Sequence, residues 1–141
     1  MRPDDPAFAI RKLKEFADVM KHPTAAEELR KFGLDLDYEV GDAEFDGVFR
    51  VRSSFVFDGD LAAELYAGGA YTDPQGSGKT EKEQSLAFCD ALFGSRFSDI
   101  WYCSSHSDWT PWFANVTGDW TAILFDRRVR ALSILATTDS D

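Results

Sequence analysis

The spacing of apolar residues changes at Gly33, and that change limits the fold more than any other feature of the chain. Before it, Ile10, Leu13, Ala17 and Met20 recur at helical intervals, with Arg11, Lys12, Lys14 and Glu15 on the other faces. After it, Leu34, Leu36, Tyr38 and Val40 alternate with Asp35, Asp37 and Glu39. Alternation puts apolar side chains on one face of a strand and acids on the other. A chain that opens with helices and then moves to period two must segregate its helices from its strands.

The rest of the chain follows the same logic. Asp5 before Pro6 predicts a helix start, and Pro23 after His22 predicts a break. Thr24 and Glu27 form a capping-box pattern for a second helix, which turns Leu29 and Phe32 inward and stops at Gly33. Phe49, Val51 and Phe55 alternate with Arg50, Arg52 and Ser54, so a strand is expected over 48–57, reached through a connection from Gly41 to Gly47. A short helix from Leu61, capped by Asp60, should end at Gly68-Gly69. Thr80 and Glu83 predict the cap of a further helix that turns Leu86, Cys89, Leu92 and Phe93 inward and ends at Gly94. Strands are expected over 100–103, 112–116, 120–125 and 129–136, with turns at 117–119 and 126–128. The expected fold is α+β: a mostly antiparallel sheet with helices packed on one face and a C-terminal β-meander, in a single domain spanning 1–141.

Charge narrows the function classes. Residues 34–75 hold 2 basic and 10 acidic residues, a net charge of −8 out of −10 for the whole chain. Such a chain is repelled by phosphate backbones and anionic headgroups, so neither nucleic acid nor a membrane surface is an expected partner. The opening MRPDDPAF has no apolar core, so no secretory signal is expected. The two cysteines, Cys89 and Cys103, are too few for a disulfide framework, and a cytoplasmic location with free thiols is the expectation.

Four motifs fail on inspection. Gly76-Ser77-Gly78-Lys79-Thr80 matches the end of a phosphate loop, but the first glycine of that motif falls on Asp73. Asp42, Glu44, Asp46 and Gly47 match the opening of a calcium loop, but its twelfth position is Ser53. Cys103 and His106 have ligand-like spacing, yet only Cys89 and His22 could complete a zinc site. Ser104, Ser105, His106 and Asp108 are too close in sequence for a hydrolase triad, which joins distant segments. His106 could still serve a distant nucleophile such as Cys89. No catalytic residue, cofactor or metal site is therefore assigned, and the chain is read as leaning away from an enzyme.

What remains is a row of acids and a group of aromatic residues. Asp35, Asp37, Glu39, Asp42, Glu44 and Asp46 include no base between them, which suits a basic protein surface. Trp109 and Trp112 flank Pro111, where one of them could serve as a buried anchor. Arg50 and Arg52, if they lie opposite the acids, would partly neutralise them. The profile is similar to that of bacterial immunity proteins that neutralise basic toxins, a similarity of class carried by no motif. The leading expectation is a small acidic intracellular interaction protein, such as an immunity protein or inhibitor, that binds a basic protein partner. The alternative is a small enzyme or ligand-binding domain with a site near Trp101, His106 and Trp112.

Overall fold

The computed structural model describes residues 6–31, 48–67, 76–107 and 119–137. In chain order these hold α1 (Pro6–Lys21), α2 (Pro23–Lys31), β1 (Arg50–Arg52), a 3-10 turn (Ser54–Val56), α3 (Phe57–Ala67), α4 (Lys79–Phe93), a second 3-10 turn (Phe97–Asp99), β2 (Ile100–Ser105), β3 (Trp120–Asp126) and β4 (Ala131–Thr137). The strands form one antiparallel sheet in the order β1-β2-β3-β4. The protein is of the α+β class, with three of its four described strands in the C-terminal third. No helix among the described residues is long and apolar enough to cross a membrane.

The chain divides into two compact units, each discontinuous in sequence. One comprises residues 1–51, 103–122 and 136–141; the other comprises 52–102 and 123–135. In the first unit, α1 buries Leu13, Phe16, Ala17 and Met20, a stripe at i, i+3, i+4 and i+7. Lys12 is also buried, its Nζ 2.9 Å from Glu15 Oε2. α2 begins at Pro23, one residue before the expected cap. His22 does the capping instead: its Nδ1 accepts the Thr24 N–H at 3.2 Å and its carbonyl accepts the Ala26 N–H at 3.0 Å. Proline needs no partner for a missing N–H, so the residue before it is left to satisfy the first turn.

The expected strand over 48–57 is cut short. β1 stops at Arg52, and the Ser53 side chain accepts the Phe55 N–H at 3.3 Å, turning the chain out of the sheet. α3 therefore starts at Phe57, four residues earlier than predicted, and Asp60 lies within its first turn rather than capping it. Phe57 is fully buried, edge-on to Tyr102 with ring centroids 5.1 Å apart.

α3 and α4 pack as an antiparallel pair. Phe57 meets Phe88, Ser85 Oγ donates to the Asp58 carbonyl, and Tyr66 Oη donates to the Gly76 carbonyl at 3.0 Å. α4 turns Ser85, Cys89 and Phe93 inward, so Leu86 and Leu92, expected in the core, are exposed. Small side chains at 85 and 89 let the two helices approach closely, and that selects the face. The Thr80 cap is also corrected. Gly78, with φ +81°, leads directly into a helix that begins at Lys79, and no side chain caps it. The predicted stop at Gly94 holds, with φ +62° and its N–H bonded to the Asp90 carbonyl at 2.8 Å.

Candidate functional site

Of the residues singled out from sequence, Asp35, Asp37, Glu39, Asp42, Glu44, Asp46, Trp109 and Trp112 lie outside the described residues. So do the candidate calcium loop and Asp73. Trp101 and His106 are described, and the structure does not bring them together. They lie at the start of β2 and just past its end. His106 is exposed, and its Nδ1 is 3.2 Å from the Asp119 carbonyl oxygen. A carbonyl only accepts, so this contact is a hydrogen bond in the tautomer with its proton on Nδ1. Trp101 instead supports the Arg127 guanidinium, whose central carbon is 4.7 Å from the ring centroid, and meets Phe125 at 6.0 Å.

The two thiols share an environment that favours their neutral form. Both cysteines are free and buried. Burial, with a smaller contribution from the charge of Asp58, pushes the Cys89 thiol up to about 11. Burial also raises Cys103 well above its ordinary value. Both shifts disfavour the thiolate, the form in which a cysteine is nucleophilic.

Two guanidinium centres organise the second unit. Arg52 grips Asp60 from Nε at 2.9 Å and from Nη2 at 3.1 Å, and Tyr102 Oη donates to the same carboxylate at 2.8 Å. The hydrogen bond to Asp60 raises the Arg52 pKa further. Arg52 thus reaches into α3; the acids that it would partly neutralise from an opposite strand lie outside the described residues. Arg96 holds Asp126 through both terminal nitrogens and Asp99 at 3.0 Å. Hydrogen bonding from Arg96 keeps the Asp126 carboxyl below its usual range, helped by the backbone N–H groups of Arg128 and Val129 and opposed by desolvation. Those two N–H groups fix the β3–β4 turn on Asp126 Oδ1 at 3.0 and 3.4 Å.

A third feature is apolar. Phe55 is 67% exposed and stacks on Phe97 at 6.1 Å. Phe97 in turn meets the buried Phe93 edge-on at 5.2 Å. Ser54 Oγ donates to the Phe97 carbonyl and joins the two 3-10 turns. An exposed aromatic ring is thereby held in place by a ladder that runs into the core. Sequence reasoning missed both Phe55 and Asp60. The only local signal was Ser53-Ser54, two turn formers inside an apparent strand.

Comparison of the chain with family models, with curated proteins and with solved structures gives no match.

Proposed function

We propose that this is a small acidic interaction protein that binds a basic protein partner, in the manner of an immunity protein or inhibitor. The observation that carries the reading is an exposed aromatic ring, Phe55, held by stacking on Phe97 in a chain of net charge −10. The unit built on 1–51, 103–122 and 136–141 has 8 basic and 16 acidic residues, a net −8; the other has 7 and 9, a net −2. Among the residues whose side chains are described, Phe55 is the most exposed large apolar side chain. Charge of one sign steers encounter, and a pre-ordered aromatic ring supplies the desolvated centre that slows dissociation. On this reading Asp35, Asp37, Glu39, Asp42, Glu44 and Asp46 steer, with Trp109 or Trp112 as a further anchor. Phe55 joins them as an anchor that needs little ordering to bind. A cytoplasmic setting with free thiols belongs to the same reading, which involves no catalysis and no cofactor.

The test is affinity capture from the native host at low and high salt. The unmodified protein is set beside Phe55→Ser and beside a triple change of Asp35, Asp37 and Glu39 to Asn or Gln. The expected result is a basic protein retained at low salt, lost at high salt and weakened by either variant. Retention of an acidic protein, or retention indifferent to salt and to both variants, contradicts the proposal.

A further inference from the structure

An edge strand exposes a row of unpaired N–H and C=O groups, and proteins usually guard that row with short length, charge, proline or a bulge. β1 has such guards: it is three residues long, contains Arg50 and Arg52, and runs straight into a 3-10 turn. β4 lacks the sequence guards. Its seven residues, Ala131-Leu132-Ser133-Ile134-Leu135-Ala136-Thr137, contain no charge and no proline. Among the described residues it pairs with β3 alone. Its five central residues are only half-buried on both faces, whereas β3 is buried from Trp120 to Leu124. The chain before β4 is basic, with Arg127, Arg128 and Arg130 all exposed around Val129, and the chain after it is acidic, with Asp139 and Asp141.

We propose that β4 pairs antiparallel with β4 of a second copy of this chain, centred on Ile134. Only that centring pairs all seven residues of both strands. Ile134 then meets its own equivalent, and Ala131 of each copy lies opposite Thr137 of the other. The antiparallel sense sets the arginine-rich segment before one strand beside the acid-bearing segment after the other. A parallel arrangement would bring like charges together at both ends. The pairing is isologous, so it uses the same edge of both copies and leaves the two β1 strands outermost among the described strands. Those are short and charged, so the joined sheet stops growing. Pairing β4 with β1 of the next copy would satisfy three residues of seven and leave an open edge for further addition.

Sedimentation of the full chain over low- to high-micromolar concentration tests this. The unmodified protein should pass from monomer to dimer. Ile134→Lys, which faces a like charge across the axis, should stay monomeric. Ser133→Lys, on the opposite face of the strand, should do the same, so a packing defect at either position can be recognised by circular dichroism and set aside. The double variant Ala131→Cys/Thr137→Cys should form a covalent dimer on oxidation, while Ala131→Cys alone should not. The two positions are roughly 20 Å apart within one strand, too far for an internal disulfide. A monomer at every concentration overturns the proposal. So does a dimer untouched by both lysine variants, or covalent dimer from Ala131→Cys alone as readily as from the double variant.

Discussion

Among the described residues β1 and β4 occupy equivalent places, one at each end of the same antiparallel sheet, and the chain treats them differently. At β1 one of the two arginines is committed elsewhere in the fold. Arg52 reaches back to Asp60 on α3, where Tyr102 of β2 also donates, so strand, helix and neighbouring strand share one carboxylate. Ser53 then ends the strand. At β4 the organised chemistry lies just before the strand, in the turn that Asp126 holds and Arg96 secures. Within the strand itself only apolar and hydroxyl side chains are present. The contrast separates two ways of managing an edge. One ties an arginine of the strand into internal bonds and keeps the strand short. The other leaves a full-length ladder available and places opposite charges at its two ends.

The largest expected effect is at the guarded edge. Asp60→Ala removes the acceptor for both Arg52 bonds and for the buried Tyr102 hydroxyl. It should cost about 2 kcal/mol in urea denaturation, most of it from the hydroxyl, because the ion pair partly faces solvent and contributes less there. Dimer formation through β4 should be unchanged. If the variant altered association more than stability, the two edges would not be independent.

A smaller effect is expected from acid. Asp126 has its pKa depressed in the folded protein by hydrogen bonding from Arg96. Its contribution is therefore complete above the unfolded-state carboxyl pKa and is lost as pH falls through the lower, folded value. Urea midpoints should decline on the acid side, and Asp126→Asn should flatten that decline while loosening the turn into β4. A decline of equal steepness in the variant would place the acid sensitivity elsewhere.

The smallest effect is at Arg130, which enters β4 with φ +55°. A side chain costs about 1–2 kcal/mol in that region, and glycine returns roughly half as much in lost chain entropy. Arg130→Gly should thus raise the thermal midpoint slightly while removing one of the basic residues before β4. Stability would rise as dimer affinity falls, a divergence that a purely structural role for the turn would not produce.

How much of this could be read from the sequence depends on what each element rests on. α1 follows from Pro6 and a regular stripe, both local. β2 and β3 were placed within a few residues because their apolar runs are dense and bounded by turn residues. The strand expected through Phe57 failed because the alternation of Phe49, Val51 and Phe55 outlasts the strand, and one Ser53 hydrogen bond redirects the chain. Leu86 and Leu92 were set inside α4 by hydrophobicity, but Ser85 and Cys89 take the inner face because they are small. Asp60 was read as a cap, since no pattern signals a bond to an arginine eight residues earlier. The acidic row and Trp109 and Trp112 fall outside the described residues, so the geometry bears on the candidate site through Phe55 and the sheet edges. The outer place of β4 among the described strands is not signalled by composition: seven uncharged residues read as an ordinary meander strand, and only the strand order sets them at the end.

Amide hydrogen exchange at low and at high protein concentration tests the contrast between the edges most directly, because it reads both strands in one sample. The β4 amides that point away from β3 should exchange quickly when the protein is dilute and become protected as it is concentrated. The β1 amides should exchange at the same rate in both. Exchange in β4 that is independent of concentration, or concentration-dependent protection that appears at Arg50–Arg52 instead, would contradict the account.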